Sequence, residues 1–163
     1  MASLEDDLAK AEMLLAEFEH DKARKKFNDI IKNHPDCAQA YFGKAEASLG
    51  VHKVKADDIQ ELYKKAIELD PENVYFITSL GSFCSDIGRF NEAEELYNRA
   101  TELDEENAGL YFSEFALGYA VKAPIVMEKF LDDNTQKMIK KKALTYMLKA
   151  LDLTEDDAKN LLS

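Results

Sequence analysis

Catalysis or metal binding requires nucleophiles, bases or ligands brought to one place, and this chain offers few candidates. Three histidines, His20, His34 and His52, fall at turns or helix ends in separate segments with no cysteine or carboxylate at metal-ligand spacing. They read as surface residues, and no metal site is expected. Cys37 and Cys84 are too few for a disulfide framework and read as free thiols. A helix N-terminus could activate Cys37, whereas Cys84 takes a packing position. The acidic clusters Asp57-Asp58, Asp132-Asp133 and Glu155-Asp156-Asp157 lack the alternating oxygen ligands and central glycine of a calcium loop, and read as helix N-terminal charge. The six glycines are scattered, so neither a phosphate-cradling loop nor a Gly-x-Ser-x-Gly elbow arises. No catalytic residue and no cofactor is assigned, and the chain is read as a non-enzyme.

Charge is the next clue. With 21 basic and 32 acidic residues the net charge is −11, which opposes phosphate backbones and anionic lipid, so neither nucleic acid nor membrane is expected as a partner. One dense basic patch, Lys137 with Lys140-Lys141-Lys142, interrupts this acidity. It has two readings, a solvated helix face balancing nearby acids or a contact for an acidic partner. The acidic start and the absence of a long apolar run give a soluble, cytoplasmic expectation.

The elements that would position these residues are helical. The chain is 46% hydrophobic with only 6 Gly and 3 Pro in 163 residues, a composition suited to one all-helical domain. Between Val74 and Asn107 an apolar-periodic segment carrying Ile77, Leu80 and Gly81 is broken at Gly88. The period resumes through Ala93, Tyr97, Ala100 and Leu103, which predicts a helix, a tight turn and a second helix. Gly81 and Ala93 are placed to let the two helices cross closely. The pattern returns upstream, with Ala11, Ala45 and Gly81 at one small position and Phe27, Tyr63 and Tyr97 at one aromatic position. Successive aromatic spacings are 36 and 34. The extra residues of the second unit belong in the loop Gly50 to Lys55. Ser3 with Asp6 predicts a capping box, and Thr154 predicts the cap of a last helix.

This arrangement resembles the tetratricopeptide repeat, with Ile77, Cys84 and Glu105 standing where that family has Trp, Tyr and Pro. The resemblance implies an all-α, right-handed superhelical stack of helix-turn-helix hairpins (an α-α superhelix) in a single domain. Repeats are expected at 4–37, 38–73 and 74–107, followed by an expanded, degenerate fourth unit over 108–153 and a capping helix over 154–163. In the fourth unit, Ala123-Pro124 is expected to break the first helix, and Ile125, Val126, Phe130 and Leu131 to form a short inserted one. Ala158, Leu161 and Leu162 are expected to cover the open end of the stack.

The resemblance also implies a concave surface lined by the first helix of each hairpin. The positions carried over are Phe42, Gly43 and Glu46 in the second repeat, Tyr75, Ser79 and Ser82 in the third, and Phe112 and Tyr119 in the fourth. Of these, Phe42, Glu46, Tyr75, Ser79, Ser82, Phe112 and Tyr119 form the expected partner-binding groove, with aromatics beside hydroxyls suited to apolar anchors. The alternatives are that Phe112 and Tyr119 pack beneath the irregular fourth unit, or that the C-terminal segment fills the groove. The implied function is binding of a protein or peptide, as a scaffold or co-chaperone; a homo-oligomeric scaffold or small acidic secretion-type chaperone is the alternative, and an unrecognised enzyme is the weakest reading. The family's dicarboxylate clamp for chaperone tails needs cations. Its positions here hold Leu8, Glu12, Gly43, Tyr75 and Ser79 in one register, and Phe42, Glu46, Ser79, Gly109 and Ser113 in the next. No affinity for Glu-Glu-Val-Asp tails is therefore expected by titration calorimetry.

Overall fold

The computed structural model describes residues 3–163, apart from the side chain of Leu162. Among the described residues nine α-helices follow one another without a strand: α1 Leu4–Ala16, α2 His20–Asn33, α3 Ala38–Leu49, α4 Ala56–Leu69, α5 Val74–Asp86, α6 Phe90–Leu103, α7 Ala108–Val126, α8 Asp133–Ala150 and α9 Glu155–Leu162. Short 3-10 turns occur at Glu105–Asn107 and Glu128–Phe130. The chain divides into two compact units, the first ending at Phe76 and the second beginning at Ile77.

Helix ends carry the repeat most clearly. The residues that close α2, α4 and α6 are His34, Asp70 and Asp104, with φ/ψ of −135/75, −138/78 and −138/76. Each donates its N–H to the carbonyl four residues back, and their separations reproduce the 36 and 34 spacing of Phe27, Tyr63 and Tyr97. The opposite hairpin turns use a left-handed residue after the helix, Phe18 (φ 59) after α1 and Gly88 (φ 79) after α5. Glu19 N–H donates to the Leu14 carbonyl and Arg89 N–H to that of Cys84, the six-to-one bond of a Schellman ending. Six residues separate α3 from α4, where the sequence placed its extra length. The Ser3 and Asp6 capping box forms with both bonds at 3.1 Å, and Thr154 forms a second with Asp157.

In the first unit the core gathers Ala11, Ala23, Phe27, Ile30, Cys37, Ala40 and Ala47, with Leu4, Leu8, Leu14, Leu15 and Ile31 packed against it. Gly43, expected on the concave surface, is buried under Phe27; a Cβ there would stand 2.2 Å from the ring. His20, read as a surface residue, packs its ring over Gly50 and has a buried Nδ1, whereas His34 and His52 are exposed. In the second unit the ring covering Gly81 is that of Tyr97, 3.0 Å from where a Cβ would be, so the close approach is helix to ring. Ala93 is fully buried, as are Ile77 and Cys84, which substitute for the family's Trp and Tyr. Both cysteines are free and buried.

The fourth hairpin departs from expectation. Pro124 does not end the helix: α7 continues to Val126, and Phe130 lies in a 3-10 turn instead of an inserted helix. Proline so close to the C-terminus removes one N–H, the one that would reach Ala120, while Met127 N–H still reaches the Ala123 carbonyl at 2.9 Å. Tertiary contacts hold the last turns: Lys122 pairs with Asp86, and Val126 packs against the Gly88 turn. Leu161, expected to cover the end of the stack, is 74% exposed, and the Leu162 side chain lies outside the described residues. Short α9 has too few apolar side chains to bury, and its acidic first turn favours water.

Candidate functional site

In the first unit α3 presents Phe42 and, one turn later, Glu46. The Phe42 ring stacks on Phe76 with centroids 4.6 Å apart, lies 5.3 Å from Tyr75, and meets Tyr63 edge-on at 5.8 Å. Tyr63 comes from α4 and is 1% exposed; its hydroxyl donates to Glu46 Oε1 at 2.5 Å. A hydrogen bond to a charged acceptor is worth about 1.5 to 3 kcal/mol, enough to fix the carboxylate beside the aromatic cluster. Tyr75 is held by the start of its own helix, where Phe76 N–H donates to Asn73 Oδ1 at 3.2 Å and Asn73 Nδ2 to Asp70 at 2.8 Å. Its ring nevertheless remains 66% exposed. Phe42, Glu46 and Tyr75 are thus brought together as an aromatic face with one carboxylate.

The residues expected in the second unit fall in different settings. Ser79 is half-buried, and exposed Ser82 hydrogen-bonds to Tyr97, whose phenol is pushed up in pKa chiefly by burial. Phe112 is half-buried, 5.9 Å from Tyr146 and beneath Lys149 at 5.6 Å. Tyr119 is not a surface anchor. It is 3% exposed, stacked on Phe115 at 5.7 Å, edge-on to Phe90 at 5.2 Å, and lies under Lys142 at 5.6 Å. It lies one turn after Phe115 on the same face of α7, and that face packs inward; packing beneath the fourth unit is the alternative that holds for this residue.

A polar network missed from the sequence fastens α8 to α6. Lys142 Nζ reaches Glu94 Oε2 at 2.5 Å, Tyr146 donates to Glu94 Oε1 at 2.6 Å, and Asn98 Nδ2 donates to the Tyr146 hydroxyl at 3.3 Å. Burial alone would raise the Glu94 pKa, but the bonds from Lys142 and Tyr146 and the Lys142 charge outweigh it and hold the carboxyl below its usual range. Burial and the Glu94 bond push Tyr146 up to about 12. Lys142 therefore belongs to the structural network and is absent from the free basic patch. No local pattern marks a pair 48 residues apart.

Among the described residues no three metal-ligating side chains converge, and no helix is long and apolar enough to cross a membrane. The arrangement offers shape, aromatic surface and fixed charge, the properties of a binding scaffold built from helical hairpins. Two family models described as tetratricopeptide repeat match residues 8–74 and 62–95. Together they reach across more than half of the chain, and the protein belongs to the tetratricopeptide repeat family, with an α-α superhelical repeat fold. No curated protein matches the sequence. Among solved structures, two described as the crystal structure of MamA each align at TM-score 0.71 and 17% identity over 96% of this chain, covering 81% and 76% of theirs. MamA 41-end from Desulfovibrio magneticus RS-1 aligns at TM-score 0.68 and 16% identity, covering 93% of this chain and 75% of that one. At such identities the likeness is one of fold. Family and fold together define a protein-interaction or scaffold module.

Proposed function

We propose that this protein binds a segment of another protein on the aromatic face of its first unit, with Tyr75 and Phe42 as anchors and Glu46 favouring an apolar or mildly basic sequence. The observation that carries this reading is the setting of Tyr75: two-thirds exposed, with its ring 5.3 Å from that of Phe42. An aromatic side chain already ordered in water loses little entropy on binding, which is why such residues dominate interfaces. The role is scaffolding or co-chaperone-like delivery in the cytoplasm, without catalysis. Ser79, Ser82 and Phe112 are carried as candidate contacts of lesser weight, since Ser82 is committed to Tyr97 and Phe112 to Tyr146.

Affinity capture from native lysate, followed by titration of the captured partner, tests the proposal. Tyr75→Ala should weaken binding by about 2 kcal/mol, roughly thirtyfold, with an unchanged thermal melt because the ring is exposed. Glu46→Gln should weaken basic partners in low salt only. A partner bound equally by wild type, Tyr75→Ala and Phe42→Ala would remove the site from this face.

A further inference from the structure

Helices α2 and α3 bring cations together where the aromatic face does not reach. Lys44 stands two residues from Phe42 and two from Glu46, about 200° around α3 from each, so it points away from that face. Across from it, Asn28 on α2 accepts a hydrogen bond from Lys44 Nζ at 2.8 Å. One turn along, Arg24 Nε donates to Ser48 Oγ at 3.0 Å, and the buried Ser48 hydroxyl donates in turn to the Lys44 carbonyl at 2.6 Å. These two contacts set α2 and α3 antiparallel, with Lys32 falling opposite the buried Ala40. Arg24, Asn28 and Lys32 thus line one side of α2 at intervals of about 6 Å, with Lys44 facing the middle of the row. Neutral groups hold the two inner cations: Ser48 takes the guanidinium and Asn28 the ammonium. Among the described residues no carboxylate lies within ion-pair distance of Lys44. Asp21 reaches Arg24 only at 3.8 Å with its own side chain 87% exposed, and Asp29 meets Lys32 at 3.5 Å on the open surface, pairs worth little in water. Burial, then the charges of Arg24 and Lys32, holds the Lys44 ammonium below its usual pKa. A half-buried cation set between two others, with only an amide for company, is a net cost on a chain that has 32 carboxylates to spend elsewhere.

We propose that Arg24, Asn28, Lys32 and Lys44 bind a dianionic phosphate group, either the free ion or the monoester on a side chain of a partner protein. The donors left over point to this ligand. Asn28 gives its carbonyl oxygen to Lys44, which leaves its amide N–H groups to donate; Lys44 keeps two further N–H bonds, and Arg24 keeps its terminal nitrogens. These donors converge from two helices, and a tetrahedral dianion presents three oxygens to meet them, whereas a carboxylate offers one charge and two oxygens in a single plane. A polyanion would need a track of cations, and the charge of −11 on the whole chain opposes one, so the site suits a single phosphate.

The test is a nuclear magnetic resonance titration of the full-length protein at constant ionic strength with inorganic phosphate, with a short synthetic peptide carrying one phosphoserine, and with its unphosphorylated twin. Phosphate and phosphopeptide should shift the Arg24 Nε–H and the amides around Asn28 and Lys44 saturably, with the twin weaker by about tenfold or more. Lys44→Gln should lose about tenfold and the exposed Lys32→Gln about threefold, while Lys44→Arg retains binding. At ten times its Kd, phosphate should raise the melting temperature of wild type by about 3 to 6 °C and leave that of Lys44→Gln unmoved. In chloride Lys44→Gln should melt no lower than wild type, since it relieves repulsion and breaks no ion pair. A phosphopeptide bound about tenfold tighter than inorganic phosphate places the group on a partner protein, and equal affinity makes the free ion the ligand. Tyr75→Ala should leave phosphate binding unchanged, which keeps this site distinct from the aromatic face. No saturable shift, equal binding of the unphosphorylated twin, or indifference to Lys44→Gln would overturn the proposal. So would binding to phosphatidic acid vesicles when neither probe binds, because the surface would then recognise a membrane.

Discussion

Gly43 and Gly118 are both interior helical glycines, and replacing each by alanine should move stability in opposite directions. A mid-helix glycine is about 0.8 to 1 kcal/mol less favourable than alanine, so either substitution begins with that gain. At Gly118 nothing lies within 4 Å of the new Cβ, and the gain stands. At Gly43 the new carbon would stand 2.2, 2.3 and 2.8 Å from three carbons of the Phe27 ring, the first two more than 1 Å inside ordinary contact. Phe27 is 1% exposed in a core of Ala11, Ala23, Ile30, Ala40 and Ala47, so its ring cannot swing into water and the neighbouring backbones must part. Overpacking of this kind costs about 1 to 3 kcal/mol, and an overlap this large belongs at the upper end. The net expectation is a loss of about 2 kcal/mol for Gly43→Ala and a gain of about 1 kcal/mol for Gly118→Ala. Urea unfolding followed by circular dichroism measures both through the midpoint at constant slope. Shrinking the ring in Gly43→Ala, Phe27→Leu should recover part of the loss, a non-additivity expected of touching residues. If Gly43→Ala is as stable as Gly118→Ala, the ring does not cover Gly43 and the packing of α2 on α3 is misassigned.

Three further perturbations test separate parts of the fold. Phe18→Gly should stabilise by about 1 kcal/mol in a thermal melt, because an L-residue at φ 59 carries left-handed strain and the Phe18 ring is 80% exposed. Ala93→Leu should destabilise by about 1 to 3 kcal/mol, since Ala93 has no exposed surface into which a larger side chain could move; a melt equal to wild type would refute the crossing of α5 and α6. Glu94 has a folded pKa below its ordinary 4.5, so its stabilisation is present above that value and is lost as pH falls through the lowered folded pKa. Glu94→Gln should therefore be less stable than wild type at neutral pH, with the difference closing under acid, as followed by melts across a pH series.

What the sequence makes legible depends on how far apart the causes lie. Ser3 with Asp6, the Thr154 cap and the turn at Gly88 are local devices whose residue types follow from one turn of backbone, and all three form as expected. The 36 and 34 spacing of the aromatic positions is also local within each hairpin, and it recurs in the closing angles of α2, α4 and α6. Phe18 shows the limit of that reasoning: it has the left-handed role of Gly88 without the residue that announces it. Lys142 and Tyr119 were misplaced for a different reason. Their settings depend on Glu94, Phe90 and the path of α8, which no period encodes.

Pro124 links the misread turn to the groove between α7 and α8. Taken alone it ends a helix, and a short inserted helix over Ile125, Val126, Phe130 and Leu131 would follow. With Lys122 and Val126 set against Asp86 and Gly88, the helix instead runs on to Val126, 19 residues in all. Tyr119 is buried with Phe115 ahead of the proline, while Ile125, on the continued turn, is 69% exposed. Helix α8 lies beside it, with Gln136, Ile139, Lys140 and Ala143 lining the groove between them. The continuation therefore helps build the α7–α8 groove, which Pro124 lines, whereas the burial of Tyr119 follows from the helix face that it shares with Phe115. Cutting the Lys122 tether in Lys122→Gln should raise the exchange of amides in the last turn of α7, followed by hydrogen exchange, while leaving Tyr75-dependent binding as it was; unchanged exchange would show that the ion pair does not hold that turn.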